Sequence, residues 1–198
     1  MKTTHEVKHE GCDMYSKTIF GFWLYLFTDF MLFATLFATF LVLSHSTYGG
    51  PSGAQLFHLP YTLIQTMVFL FASFTIGLAA VAAHRRERKW TIVLLMVTFL
   101  LGLIFMGMEF SEFSRFIKAG NDWKQSAYLS AFFTLLGTHS IHVIFGLLWI
   151  IVFTLPVCWH GLTETSVRRI TCLKLFWQFL NVVWIFIFSI VYLLGGVV

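Results

Sequence analysis

The sequence predicts an all-helical membrane protein, a bundle of five transmembrane helices. Of its 198 residues, 58% are hydrophobic and 11% are charged, whereas about 25% of the residues of a soluble domain are charged. The mean hydropathy is +0.81, which corresponds to more apolar surface than one aqueous core of this length can hide. This composition excludes a soluble globule, and lipid is the expected solvent.

Five apolar stretches have the length of a membrane span, for which a helix needs roughly 20 residues. The stretches do not alternate every second residue, which excludes the strands of a β-barrel. A polar cytoplasmic tail is expected at 1–18 and a transmembrane domain at 19–198. The predicted spans lie at about 19–44, 59–83, 90–113, 127–157 and 173–196.

The basic residues predict the orientation of the spans. Ten Lys and Arg residues lie in the tail and in the connections at 84–89 and 160–174, and the other three lie between 115 and 124. Under the positive-inside rule, this bias places the N-terminus in the cytoplasm and the C-terminus in the periplasm. The net charge of +4 is therefore read as a topological signal, and no nucleic-acid partner is expected.

A few polar residues fall at membrane depth, where each ionisable group costs about 2.5–3.5 kcal/mol. Asp29 lies about 15 Å along the first span. His139 and His142 share a face of the fourth helix through their i, i+3 spacing, and Gln178 and Asn181 do the same on the fifth. Because the depths of these residues match, we expect one buried polar cluster that ties helices 1, 4 and 5 together. For Asp29 a polar contact between helices is favoured over a station on a proton path, since one isolated carboxylate makes a poor path.

Two acidic residues, Glu109 and Glu112, follow the uncharged run of the third helix. They are read either as a solvated pair at the membrane interface or as a groove that binds a lipid head group or a neighbouring subunit. The sequence leaves both interpretations open, because the end of the third helix is uncertain by several residues.

The sequence gives no sign of a catalytic, cofactor-binding or metal site. Two histidines on one helical face cannot ligate a haem from both sides of its ring. The Glu-x-x-Glu and His-x-x-His pairs lie on different helices, so the Glu-x-x-His pattern of a di-iron bundle does not occur. No nucleotide-binding, serine-hydrolase or zinc-protease string is present.

Five strings in order along the chain carry a resemblance to a known family. They are FGFWLYLFTD at 20–29, GGPSG at 49–53, GMEFSEF at 107–113, GTHSIHV at 137–143 and FWQFLNVVW at 176–184. Together they resemble subunit III of the haem-copper respiratory oxidases, most of all the bo-type ubiquinol oxidases of bacteria. The five helices suit that quinol oxidase form, since the fuller cytochrome c oxidase version has seven.

The resemblance implies a non-catalytic subunit of an enzyme complex that oxidises ubiquinol, reduces oxygen to water and pumps protons. The implied partners are subunit I, which bears the haem and copper, subunits II and IV, and membrane phospholipids. The implied location is the bacterial inner membrane, as a multi-pass protein, with no cofactor in this chain. Asp29 would be the family's buried helix carboxylate, Glu109 the glutamate that faces its lipid-containing cleft, and His139 and His142 its paired histidines.

The last helix departs from the family pattern, which is typically Trp-His-Phe-x-Asp-x-Val-Trp. Here Gln178 replaces the histidine and Asn181 replaces the acid. An ionic contact would therefore become neutral hydrogen bonding between amides.

Two other functions remain as alternatives. The first is an independent five-helix proton channel or transporter that uses Asp29, Glu109 and the histidines as relays. The second, a haem-binding anchor of a quinone-linked dehydrogenase, is disfavoured by the placement of the histidines. The scarcity of ionisable residues at membrane depth favours a subunit that supports a pump over a pump in itself.

Overall fold

The computed structural model describes residues 4–43, 59–118 and 126–194, and within these ranges it is helical, with no strand. It has five helices that are long and apolar enough to cross a membrane, which confirms the predicted fold class. They are α1 (Thr4–Leu43), α2 (Leu59–His84), α3 (Arg88–Lys118), α4 (Ala127–His160) and α5 (Glu164–Ile187), and a π-helical segment, Phe188–Leu194, continues α5.

Several helices extend beyond their predicted spans, because polar residues continue them. α5 starts at Glu164 rather than near 173, since Thr163 caps it by accepting a hydrogen bond from the Ser166 amide at 3.2 Å. A free hydroxyl acceptor of this kind satisfies one of the unpaired amides of the first turn. α3 continues past 113 to Lys118, because its acidic residues face the bundle and not its rim.

Four of the helices form a ring, and the first helix packs on its outside. α2 packs against α3 and α5, and α4 packs against α3 and α5, whereas α1 contacts α4 and α5. α1 and α4 are antiparallel, with ring centroids 6.3 Å apart for Phe22 and Trp149 and 5.5 Å apart for Phe40 and Tyr128. α5 is therefore the central helix, with α1 on one flank and α2 on the other.

The indole of Trp177 on α5 fills the centre of the bundle and is fully buried. Two glycines make room for it. A Cβ atom on Gly102 of α3 would lie 3.0 Å from Trp177 Cη2 and 2.7 Å from Leu147 Cδ2, and one on Gly146 of α4 would lie 3.2 Å from Trp177 Cζ3. The absence of side chains at these two positions lets α3 and α4 approach α5 closely.

A Gly102→Ala substitution should lower the free energy of unfolding by about 1–2 kcal/mol, because the added methyl group overpacks the contact with Trp177 and Leu147. Gly107→Ala is the matched control on the same helix, since nothing lies within 4 Å of its new Cβ. That control should be neutral or slightly stabilising, because alanine is the better helix former. Titration of the folded chain with a denaturing detergent measures both, and equal effects would contradict this account of the packing.

The connections that were predicted to share one side of the membrane do meet at one end of the bundle. Arg86, between α2 and α3, donates to Leu162 O and forms an ion pair with Glu164. Arg88, at the start of α3, donates to Cys158 O near the end of α4. Arginines thus tie the α2–α3 and α4–α5 connections together.

Candidate functional site

The five residues expected to form one polar cluster do not meet in the structure. Asp29 and His142 face each other across α1 and α4, whereas His139 points into the four-helix ring. Gln178 is exposed on α5, and Asn181 is half-buried. The two histidines separate because a spacing of three residues leaves them about 60° apart around the helix, and α4 has α1 on one side and the rest of the ring on the other.

The first polar group lies on the flank of the bundle and consists of Tyr25, Asp29 and His142; we name it the lateral polar group. The Nε2 atom of His142 lies 3.9 Å from Asp29 Oδ2, and its Nδ1 atom donates to Thr138 O at 2.7 Å. Tyr25 lies four residues before Asp29, about one turn away on the same face of α1. The imidazole also packs against Phe33, with centroids 5.2 Å apart. The group thus couples α1 to α4 through both polar and aromatic contacts.

The second polar group lies inside the ring and consists of Gln65, Glu109, Glu112, His139 and Tyr192; we name it the inner polar group. Glu109 is 1% exposed and Glu112 is 2% exposed. Neither the interpretation as a solvated pair nor that as a groove for lipid or another subunit matches this burial. The reason is that α3 continues past both residues, so their carboxyl groups face helices and not the interface.

Glu112 has two polar contacts within the ring. The hydroxyl of Tyr192, in the π-helical segment, donates to Glu112 Oε2 at 3.1 Å. Arg115 lies one turn along α3, with its guanidinium nitrogen 3.9 Å from Glu112 Oε1. The same guanidinium lies over the ring of Tyr61, 5.6 Å from its centroid. Arg115 is thus the cation beside the acidic end of the inner polar group.

Gln65 on α2 is the member of this group that the sequence analysis missed. It is completely buried, and neither atom of its amide has a hydrogen-bond partner. Both carboxylate oxygens of Glu109 also lack hydrogen-bond partners. Because α2 and α3 are antiparallel and Phe69 meets Phe105 at 4.4 Å, Gln65 lies level with Glu109. An amide in the middle of an uncharged apolar run was the available signal.

His139 is enclosed by aromatic rings. Its Nε2 atom contacts Leu180 O at 3.3 Å and is the donor, since a carbonyl oxygen only accepts. The centroids of Phe69, Phe105 and Trp184 lie 5.8, 6.0 and 5.2 Å from that of the imidazole. This histidine therefore acts as a packing residue with one polar contact to α5.

Within residues 4–43, 59–118 and 126–194, no three His, Cys, Asp or Glu side chains come together in a way that could hold a metal ion. Three candidate metal ligands from the sequence analysis are also apart from one another. His139 and His142 face different neighbours, and Glu109 lies level with Gln65. The absence of a cofactor in this chain stays a prediction.

Comparison with known proteins decides the family. The family model of cytochrome c oxidase subunit III matches residues 2–196. The chain belongs to the cytochrome c oxidase subunit III family. The resemblance seen in the five strings is thereby confirmed.

The curated relatives of this subunit III chain cover nearly all of it, and three of them are named cytochrome bo(3) ubiquinol oxidase subunit 3. The protein of Pseudomonas aeruginosa is 49% identical over 97% of this chain and 93% of its own length. That of Pseudomonas putida is 46% identical over 90% and 86% of the two chains. That of Buchnera aphidicola is 42% identical over 93% and 95%.

The strings that carried the resemblance supply the lateral polar group of this subunit III chain and three of the five residues of the inner polar group. The strings at 20–29 and 137–143 provide the lateral polar group, and the latter also provides His139. The string at 107–113 provides the two glutamates, and that at 176–184 provides the buried indoles of α5. The remaining string, at 49–53, lies outside the described residues.

Proposed function

We propose that the chain is the accessory subunit III of a proton-pumping ubiquinol oxidase in the bacterial inner membrane. It packs on the haem- and copper-bearing subunit I, beside subunits II and IV, and stabilises that catalytic subunit. The redox cofactors belong to subunit I, and this chain holds phospholipid next to it. The relatives named ubiquinol oxidase subunit 3, which match along nearly the whole chain, carry this proposal.

The packing of α1 supports a subunit that works inside a larger assembly. Only 17% of the apolar window of α1 is buried within the chain, against 44% for α5. Large side chains such as Trp23 and Phe27 on α1 are more than half exposed. Because so little of α1 is buried within the chain, it offers a broad apolar surface to lipid and to neighbouring helices.

The separation of the two polar groups argues against the independent proton channel. A channel needs a connected polar path, but the lateral and inner groups lie on different sides of α4. Aromatic rings enclose His139, and the ring of Phe33 covers His142. This arrangement favours two local contacts between helices.

Co-purification tests the proposed function. A tagged chain, extracted from its native membrane in mild detergent, should travel with a haem-containing partner that shows a Soret band. The chain produced alone should show none. A chain that runs by itself from native membranes, or one with an intrinsic haem spectrum, would contradict the proposal.

Substitutions at the buried polar residues should affect assembly more than chemistry. We expect Asp29→Asn and His139→Ala to shorten the working lifetime of the oxidase several-fold while initial turnover stays within about twofold. The physical reason is that a buried polar contact or a packed ring is lost and no reacting group is removed. Turnover of the purified complex, followed over time, measures both quantities.

His84→Ala is the control for these variants, since His84 lies exposed at the end of α2, and its lifetime should be unchanged. Normal assembly with a proportionate loss of initial turnover in Asp29→Asn would argue for a direct role of Asp29 in proton transfer.

A further inference from the structure

A groove of about 410 Å³ lies between α2 and α5, at the end of the bundle where arginines tie the connections together. We name it the basic groove, and its lining consists of Ala80, Val81, His84, Arg85, Thr171 and Lys174. Three of these residues are basic and none is acidic. The His84 ring is held by its own helix, since its Nδ1 atom donates to Ala80 O at 2.8 Å. Arg85 and Lys174 are therefore the two charges that a ligand would meet.

The two charges of the basic groove lack an acidic partner. Among the side chains that the structure describes, neither Arg85 nor Lys174 forms an ion pair, and Glu164 on α5 is already paired with Arg86. Lys174 is half-buried and lies within the apolar span Glu164–Leu193, about 15 Å from its start. A cation at membrane depth is costly unless a counter-charge accompanies it. An anion from outside the chain would supply that counter-charge.

An apolar stripe leads from the basic groove along the outer face of α2. Phe74, Leu78 and Val81 precede Arg85 at spacings of four, three and four residues, so they share its face of the helix. Arg85 continues the helical turn, because its amide donates to Val81 O at 3.0 Å. The three apolar side chains are 64%, 42% and 48% exposed. The stripe covers about 16 Å, which is about half of a hydrocarbon core about 30 Å thick.

We propose that the basic groove binds an anionic phospholipid, with its phosphate between Arg85 and Lys174 and one acyl chain along the stripe. A phosphodiester accepts charge-assisted hydrogen bonds from both a guanidinium and an ammonium group. A zwitterionic lipid carries its own ammonium group, which weakens the attraction. This inference rests on the proposed function, in which the chain holds phospholipid, and it names the class of lipid and its place on the chain.

A soluble anion and an acidic segment of another protein are the competing occupants. Either would pair with Arg85, which is exposed. Neither accounts for Lys174, which lies within the apolar span, or for the exposed apolar stripe beside the groove. A phospholipid matches both features, because its charge and its acyl chain belong to one molecule.

The test uses the full chain, stripped of lipid in a neutral detergent, and native mass spectrometry, which counts the lipids bound to it. Dioleoylphosphatidylglycerol and dioleoylphosphatidylcholine have the same acyl chains and are titrated separately. We expect a saturable site that binds the anionic lipid at least about fivefold more tightly, the effect of one basic residue near an anionic lipid. Glycerol 3-phosphate has the phosphate without acyl chains, and at equal concentration it should not displace the lipid.

Variants locate the site among the basic residues of the chain. Lys174→Gln removes the charge, so it should weaken phosphatidylglycerol about fivefold and leave phosphatidylcholine unchanged. Lys174→Arg keeps the charge and should bind as the unmodified chain does. Lys89→Gln is the matched control, since this exposed residue at the start of α3 lies outside the groove, and it should change neither lipid.

A second groove, lined by Arg168 and Arg169 between α1, α4 and α5, provides a further check. Arg169→Gln should leave the site in the basic groove intact. If Arg169→Gln removes the preference for phosphatidylglycerol and Lys174→Gln does not, the anionic lipid binds in the second groove and the proposal is wrong.

Equal midpoints for the two lipids on the unmodified chain would also overturn the proposal. Displacement of phosphatidylglycerol by equimolar glycerol 3-phosphate or by a polyglutamate peptide would do the same. These results need no variant, so they hold even if Lys174→Gln fails to fold. None of them involves a haem-containing partner, so failure of the lipid site is distinguishable from failure of the proposed subunit function, which co-purification decides.

Discussion

Replacing Trp177 by alanine should lower the free energy of unfolding by about 3–5 kcal/mol, the usual cost of removing a large aromatic side chain from a core. The indole is fully buried and touches α3 and α4 at their closest approach, through Gly102 and Gly146. It also packs 5.7 Å from the ring of Phe69 on α2. Because α2, α3 and α4 all contact this one side chain, the cavity left by alanine cannot close without moving a helix.

Trp90→Ala is the control for this variant, because Trp90 is 62% exposed at the start of α3. Its loss should cost less than about 1 kcal/mol, as is usual for surface substitutions. Denaturing-detergent titration of the two variants and the unmodified chain gives the comparison. Comparable losses in both variants would mean that Trp177 does not organise the centre of the bundle.

Replacing Arg115 by alanine should lower the free energy of unfolding by about 2–3 kcal/mol. Its removal leaves the buried carboxyl group of Glu112 without its nearby cation, and breaking a buried ion pair from one side costs about 3–5 kcal/mol. The expected loss is smaller, because the Arg115 side chain is 43% exposed. The guanidinium also loses its contact with the ring of Tyr61.

Lys118→Ala removes the same charge one turn further along α3 and serves as the control. Its effect should stay within about 0.5 kcal/mol, as expected for an exposed residue. Glu112→Gln in the Arg115→Ala background should recover part of the loss, and the four variants of this double-mutant cycle give the coupling energy directly. If Arg115→Ala and Lys118→Ala behave alike, the inner polar group does not need its cation.

The sequence predicted the five spans because roughly 20 apolar residues in a row have few alternatives. It could not predict which helix faces which, since lipid-facing and core-facing residues are equally apolar. Phe69 and Phe71 lie two residues apart on α2, yet the first is fully buried and the second is 62% exposed. Nothing in their chemistry distinguishes them, so the neighbours of α2 had to come from the structure.

The same limit explains why the predicted polar cluster divides into two groups. Depth along a helix follows from a residue count and placed the polar residues within the membrane. The direction around the helix decides their partners. Because other helices flank α4 on two sides, His139 faces α5 and His142 faces Asp29. Gln65 was missed for a related reason: an uncharged amide on an apolar helix gives a weak signal until its burial is seen.

The π-helical segment at the end of α5 limits how the length of that helix can vary. In an α-helix, eight residues turn by about 800°, which would leave Tyr192 about 80° around the axis from Trp184. A π-helix turns less per residue, and the two rings lie 6.5 Å apart on the same side, with the Tyr192 hydroxyl on Glu112. Deleting one residue between 188 and 191 would leave seven, which in an α-helix turn by about 700° and keep the phenol within about 20° of Trp184. This end of the chain should therefore accept the loss of one residue far more readily than the insertion of one.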